Sequence, residues 1–267
     1  MKKIIVHGHC SARYRWPTWT DFIEKYSEGC EVINLARPGC GNESLSRDVV
    51  NSAMKYSEIG HIYVMWGAPH RYEVISEMRD KIDNTNYTWS MWDPDFEWTV
   101  SYNGHWDPEQ HKNYKKNFQT EKLNRYKTLE NILYTQMFLD KRGIDYTMMV
   151  YDRRSLPKGL KSNSERALEK QIDWSRFKFY KDCLGLRDFG QELYIEQFPD
   201  RNENSDDVHT HPLPYVHYKW VKDIMFESEK EIDKELHDRL KQWKSLEIEH
   251  QEWMYQAKTV PRWENNA

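Results

Sequence analysis

Four polar clusters in this sequence contain the residue types that nucleophilic chemistry requires. The first two are "GHCSA" at residues 8–12 and "RPGCGN" at 37–42. The third is "WGAPHRYE" at 66–73, and the fourth is "DDVHTHPLPYVH" at 206–217. A nucleophile needs a base, the base needs an orienting acceptor, and the oxyanion needs N–H donors. Together the four clusters contain candidates for all of these roles.

The candidate nucleophile and base come from the first and last clusters. Ser11 is the candidate hydroxyl nucleophile, and His211 is the candidate base that takes its proton. Asp207 or Asp206 is the candidate acceptor that orients the histidine. The thiol of Cys10, directly before Ser11, is the alternative nucleophile.

The candidate oxyanion and binding groups come mainly from the second and third clusters. Backbone N–H groups at Ser11 and Gly39, together with the side-chain amide of Asn42, are suitable donors. His70 and Arg71 are further candidates for the same role. Pro69 has neither a backbone N–H nor a polar side chain, so it is not a candidate.

Alternating strands and helices precede and separate the first three clusters. "KIIVH" (3–7), "EVINLA" (31–36) and "HIYVMW" (61–66) predict strands, since they are short and rich in β-branched or other apolar residues. Apolar residues at helical spacing predict helices over 16–28 and 43–56. This order predicts a parallel sheet covered by helices, with the clusters beyond the carboxyl ends of the strands.

The middle of the chain departs from this pattern. Residues 80–120 are rich in tryptophan and keep no regular period, which predicts an insertion or cap outside the main sheet. Regular signals return with a helix over 121–143 that ends at a glycine, and with a fourth strand over 144–151. Residues 157–200 carry only weak signals.

The C-terminal part predicts a charged helical extension. The sequence is divided here into an α/β domain over 1–225 and an extension over 226–267. Charges of alternating sign over about 226–250 are typical of a solvated helix or of one packed against a partner. This surface predicts self-association or binding of a virion partner.

Composition limits the class of protein. The net charge of −4 argues against nucleic acid as the main partner, and no run approaches the length of a membrane span. The four cysteines form no CxxC pair, and the chain offers no glycine-rich phosphate loop. These features predict a soluble cytoplasmic protein without a cofactor; for a phage-encoded protein this means the host cytoplasm or the virion.

The four blocks in this order resemble the SGNH (GDSL-type) hydrolase superfamily. They are most similar to a phage and bacterial branch with blocks of the form GCSFT, NLAxPGxSN, WSxxxR and DxHPxxxxH. The corresponding segments here are "HCSA" (9–12), "NLARPGCGN" (34–42), "WGAPHR" (66–71) and "HPLPYVH" (211–217). They span most of residues 3–220, and the second block is the most specific.

The resemblance implies a fold and an activity. It implies a three-layer α/β/α fold with a flavodoxin-like parallel sheet, and hydrolysis of an ester by a serine nucleophile. By position, Ser11 matches the nucleophile, Gly39 the glycine of the second block and His211 the base. Alignment of Gly8-His9-Cys10 with G-D-S would make Cys10 the nucleophile instead. Because aromatic faces stack on sugars, the tryptophan-rich insertion favours a carbohydrate ester or another small ester as substrate.

Two other interpretations stay open. The third block lacks the asparagine of the superfamily, which is compatible with a catalytically inactive binding or virion component on the same fold. A cluster of histidines would instead indicate a metal enzyme; its candidate ligands are His7, His9, His209 and His211.

Overall fold

A computed structural model gives the fold of the chain. It describes residues 1–14, 17–37, 39–67, 69–71, 73–76, 90–93, 98–102, 113, 116–117, 120–156, 162–197, 211–232 and 234–242. The strands are β1 (Lys2–His7), β2 (Cys30–Asn34), β3 (Ile59–Trp66), β4 (Glu73–Ser76), β5 (Ser90–Asp93), β6 (Trp98–Tyr102), β7 (Tyr146–Val150) and β8 (Phe177–Lys178). The helices are α1 (Trp19–Tyr26), α2 (Asn42–Lys55), α3 (Glu121–Arg142), α4 (Asn163–Gln171), α5 (Leu186–Gln197), α6 (Pro214–Lys219) and α7 (Lys234–Gln242).

The main sheet has five strands in the order β2-β1-β3-β7-β8, and every pairing is parallel. Its two central strands are apolar on both faces, as parallel strands covered by helices must be. Ile4, Ile5 and Val6 of β1 are all buried, and so are Ile62 and Val64 of β3. The predicted α/β fold with a parallel, flavodoxin-like sheet is confirmed.

Two apolar cores separate the sheet from its helices. Val6 of β1 belongs to the core that includes side chains of α1, α5, α6 and α7. Ile5, the preceding residue, belongs to the core that includes side chains of α2, α3 and α4. This division follows from the alternation of side chains along a strand. The result is three layers, helices, sheet and helices.

The order of the strands determines where a ligand site forms. From β1 the chain moves to β2 on one side, and then returns across β1 to β3 on the other side. The loops that follow β1 and β3 therefore diverge, and such a switch point is where open α/β sheets bind ligands. The loops that follow β1, β2 and β3 contain the first three polar clusters.

Strands that sequence patterns did not predict lie within the predicted insertion and just before it. β4, β6 and β5 form a separate antiparallel sheet of three strands. This is consistent with an insertion outside the main sheet. The side chains of its tryptophans lie outside the described residues, so the predicted cap over the site stays a prediction.

The described part of the weak region over 157–200 contains two α-helices, a short 3-10 helix and one strand. Ser162 caps the start of α4, and its hydroxyl accepts a hydrogen bond from the backbone N–H of Glu165. β8 has only two residues, so it carries no recognisable period. The predicted end of α3 is confirmed, because Gly143 adopts a left-handed φ of 64° there.

The predicted helix over 226–250 is partly wrong. A π-helical turn ends at Met225, and 227–232 are not helical. Glu227 has a φ of 48°, and the ring of Phe226 stacks on Tyr26 at 5.4 Å between centroids. α7 follows and buries Leu240 in the core. None of the described helices is both long and apolar enough to cross a membrane.

Candidate active site

The loop after β1 begins with a tight turn from His9 to Ala12. The backbone N–H of Ala12 donates to the His9 carbonyl at 2.8 Å. The Ala12 carbonyl in turn accepts hydrogen bonds from Thr18 Oγ1 at 3.0 Å, Thr20 Oγ1 at 3.1 Å and Asn34 Nδ2 at 2.9 Å. Three donors on one carbonyl fix the turn against α1 and β2. The two central residues of the turn are thus held rigidly.

Ser11 lies on the inner side of this turn. Its side chain is 1% exposed, and its hydroxyl contacts Met65 Sδ at 3.1 Å. The same oxygen lies 3.4 Å from both ring nitrogens of His9, so it faces the edge of that ring. These contacts direct the Ser11 hydroxyl into the core. Its role as nucleophile stays a prediction that this geometry does not favour.

Cys10 lies on the outer side of the same turn, and basic groups surround its thiol. Cys10 Sγ is 3.6 Å from His9 Nδ1 and 3.7 Å from Arg71 Nη2, and it also hydrogen-bonds with His211. Burial raises the pKa of the Cys10 thiol, but the hydrogen bond with His211 and the charge of Arg71 lower it well below the ordinary value. A thiolate is the reactive form of cysteine, so these surroundings favour the form of Cys10 that a nucleophile requires.

His9 is a buried neutral partner of the thiol. Its ring meets Tyr151 edge to face, with centroids 4.8 Å apart. Burial lowers the pKa of His9, more than the contact with Cys10 raises it. The Ser11 N–H donates to Nδ1 at 3.4 Å, so Nδ1 is an acceptor. A Cβ at Gly67 would lie 2.8 Å from His9 Cδ2, so only glycine leaves room for this ring.

His211 is the partly exposed histidine of the site. Its ring stacks on Tyr14, with centroids 4.1 Å apart and planes 14° from parallel. This stack fixes the ring beside Cys10, and nothing in the sequence pattern pointed to Tyr14. The candidate acid partners Asp207 and Asp206 lie outside the described residues. His211 therefore has the position of a base for Cys10, with Tyr14 as its described positioning contact.

The second cluster supplies a backbone donor. Gly39 has a φ of 83°, a conformation that favours glycine. Among the described residues, none accepts a hydrogen bond from the N–H of Gly39 or from that of Cys10. The loop is joined to β1 through the Gly8 carbonyl, which accepts from Arg37 N at 2.9 Å and from Cys40 Sγ at 3.4 Å. Both N–H groups suit an oxyanion.

The side-chain amide of Asn42 makes hydrogen bonds within the fold. Its Oδ1 accepts from the Gly67 N–H at 3.0 Å, and its Nδ2 donates to the Gly67 carbonyl at 3.3 Å. Nδ2 also donates to Thr128 Oγ1 at 3.0 Å. The amide thus joins the start of α2 to the end of β3. It is occupied by structural bonds and does not offer a free oxyanion donor.

The two candidates of the third cluster differ in position. His70 lies in the turn after β3 and is exposed. Arg71, the next residue, is partly buried and reaches Cys10. The sequence pattern named both as binding groups; among the described contacts only Arg71 reaches the thiol.

The other described histidines lie apart from this site. His7 lies on the opposite face of the sheet, where Nε2 hydrogen-bonds with Ser52 Oγ at 2.7 Å. Burial lowers the pKa of His7 to about 3, and that of His217 likewise to about 3. Within the described part of the chain, no group of three His, Cys, Asp or Glu side chains is placed to hold a metal ion. His209 lies outside that part.

Comparison with known proteins found no match for this chain. No family model, no curated protein and no solved structure matches the chain. Functional assignment therefore rests on the site itself.

Proposed function

We propose that this protein hydrolyses acyl esters or thioesters by nucleophilic catalysis, with Cys10 as the nucleophile and His211 as the base. One observation carries the proposal: Cys10 Sγ lies among His211, His9 and Arg71 on an anchored turn. The Ser11 hydroxyl, by contrast, faces Met65 in the core. In the resemblance to SGNH hydrolases, this corresponds to aligning Gly8-His9-Cys10 with G-D-S.

The reaction has two halves. Cys10 gives its proton to His211, and the resulting thiolate attacks the acyl carbon. The carbonyl electrons move to the oxygen, which the N–H groups of Cys10 and Gly39 stabilise. Collapse of this intermediate expels the alcohol or thiol, which takes a proton from His211 and leaves an acyl thioester on Cys10. His211 then removes a proton from water, and the resulting attack releases the carboxylic acid and frees Cys10.

His211 suits the role of base better than His9 does. His9 is 1% exposed, and burial lowers its pKa, so its protonated form is unfavourable. His211 is partly exposed, which allows it to exchange protons with water. His9 then acts as a positioning residue whose Nδ1 accepts from the thiol when it is protonated.

Trapping the acyl intermediate tests the proposal. The full chain is treated with p-nitrophenyl acetate, quenched in acid and digested, and the acetylated residue is identified by mass spectrometry. We expect acetyl on Cys10, complete loss in Cys10→Ala and retention in Ser11→Ala. Cys183→Ala, which removes another partly exposed free thiol, is the matched control. Acetyl on Ser11 that survives Cys10→Ala would restore the serine mechanism and overturn this one.

The pH dependence of alkylation tests the activated thiol separately. Cys10 should react with iodoacetamide with a midpoint well below the value of about 8.5 for an ordinary cysteine. His211→Ala removes a group that lowers the pKa of Cys10, so the midpoint should rise. A wild-type midpoint near that of Cys183, measured in the same digests, would contradict the proposal.

One observation favours a second function. The Asn42 amide is occupied by Gly67 and Thr128, so no oxyanion donor comes from that side chain. A site with fewer donors is compatible with a catalytically inactive protein that binds a glycan ester or a virion partner, or that self-associates through its C-terminal helices. Absence of an acyl intermediate and of turnover, together with a stable assembly in sedimentation, would favour this alternative.

A further inference from the structure

Arg71 has a buried polar atom that the thiol does not use. Its Nη2 donates to Cys10 Sγ at 3.7 Å, whereas its Nη1 is buried and has no hydrogen-bond partner among the described residues. An unpaired buried polar atom carries a free-energy cost, which is larger for a charged group. Native structures keep such atoms rarely, and they occur at functional sites.

The described surroundings of Arg71 contain no acidic partner. Among the described residues, no Asp or Glu forms an ion pair with this guanidinium. The group whose charge acts on it most is Cys10. His9, its other near neighbour, is neutral because burial lowers its pKa. The thiolate of Cys10 therefore balances the charge of Arg71 only until that thiolate forms a covalent bond.

We propose that Arg71 Nη1 binds a carboxylate that the substrate carries close to its acyl carbon, so that the substrate is an acyl compound with an acidic group. This inference rests on the proposed function, since it takes Cys10 as the nucleophile. Both terminal nitrogens belong to one planar guanidinium, so an anion on Nη1 lies beside the carbon bonded to Sγ. When the sulfur bonds to the acyl carbon, Cys10 loses its negative charge. The carboxylate of the substrate then replaces the thiolate as the counter-ion of Arg71.

The available charge favours a carboxylate over a phosphate. Before attack, the site contains one guanidinium and one thiolate. A carboxylate adds a single negative charge beside that thiolate, whereas a phosphate adds up to two. Only one terminal nitrogen is free, which also suits one carboxylate oxygen better than a group with three acceptor oxygens.

Paired alkylating reagents test this subsite. Iodoacetate and iodoacetamide form the same bond to sulfur, but only iodoacetate carries a carboxylate. The full chain is treated with each reagent at one pH, and the rates at Cys10, Cys30 and Cys183 are measured by mass spectrometry. The ratio of the two rates at Cys30 and Cys183 gives the intrinsic preference, since both are partly exposed free thiols. Because both reagents react with the thiolate form, the ratio of their rates at one pH does not depend on the fraction of each cysteine that is deprotonated.

We expect the ratio of iodoacetate to iodoacetamide at Cys10 to exceed the ratio at the control thiols by about tenfold, the effect of one charge-assisted hydrogen bond. Arg71→Gln should abolish this excess, even though it slows both reagents. Arg166→Gln, which removes the same charge from an exposed position of α4, should retain it.

Two outcomes would overturn the inference. If Cys10 reacts rapidly with iodoacetamide but shows no excess for iodoacetate, or keeps the excess in Arg71→Gln, the carboxylate subsite is refuted and the activated thiol stands. If Cys10 reacts with neither reagent faster than Cys183 does, both the subsite and the proposed function are refuted.

Discussion

Replacing Asn42 by alanine removes the bridge between α2 and the end of β3. The side chain is 4% exposed, and Gly67, its main partner, is buried. Asn42→Ala removes Oδ1, which accepts from the N–H of Gly67 at 3.0 Å, and Nδ2, which donates to the carbonyl of Gly67 at 3.3 Å. Water has little access to either group, so most of their desolvation cost should appear in the free energy of unfolding.

The size of the effect follows from these bonds. A buried N–H left unsatisfied costs about 2 kcal/mol, and a weaker carbonyl contact adds about 1 kcal/mol, for a sum of about 3 kcal/mol. The third bond, from Nδ2 to Thr128 Oγ1 at 3.0 Å, adds little because the hydroxyl can turn to a carbonyl of its own helix. Thr128→Val is therefore a matched control, with an expected loss of about 1 kcal/mol.

Urea denaturation of wild type and both variants measures these losses. Asn42→Ala should lower the midpoint with an unchanged slope, because the surface exposed on unfolding stays the same. A loss for Asn42→Ala no larger than that for Thr128→Val would refute the bridging role. If hydrolysis by the folded variant also fell while the pKa of Cys10 stayed constant, Asn42 would act as an oxyanion donor after all.

Three further substitutions test the packing around the site and one buried ion pair. Gly67→Ala places a Cβ 2.8 Å from His9 Cδ2, so it should lower the free energy of unfolding by about 1–3 kcal/mol in urea denaturation. The displaced ring should also change the alkylation rate of Cys10. An unchanged rate would show that the position of His9 does not affect the thiol. Gly185→Ala brings a Cβ within 2.2 Å of a backbone carbonyl oxygen, which cannot move aside. The yield of soluble protein should therefore fall sharply. A normal yield with a wild-type melting temperature would contradict this expectation. Hydrogen bonds from Arg125 lower the pKa of Glu165 from 4.5 to about 2, so the pair stabilises the fold above pH 4.5 and this contribution disappears as pH falls toward 2. Glu165→Gln should flatten that part of the pH–stability curve, and equal curves would show that the ion pair is not the cause.

Local patterns identified the main elements because their causes are local. Runs such as "IIV" in β1 and "IYVMW" in β3 are apolar at every position, which is what a parallel strand covered on both faces requires. The end of α3 was predictable because glycine, unlike residues with a Cβ, adopts the left-handed φ of 64° found at Gly143 without strain. β8 was not predictable, since a strand of two residues has no period.

The sequence determined which segments lie at the carboxyl ends of the strands, and hence that the polar clusters after β1, β2 and β3 meet at one edge of the sheet. The resemblance favoured Ser11 over Cys10 as the nucleophile, but both lie in one turn, so no local pattern tests that choice. Tertiary structure separated them: the turn directs Ser11 Oγ toward Met65 in the core and leaves Cys10 Sγ beside Arg71. Met65 and Arg71 are both more than fifty positions away in the chain, so no local pattern encodes these two contacts.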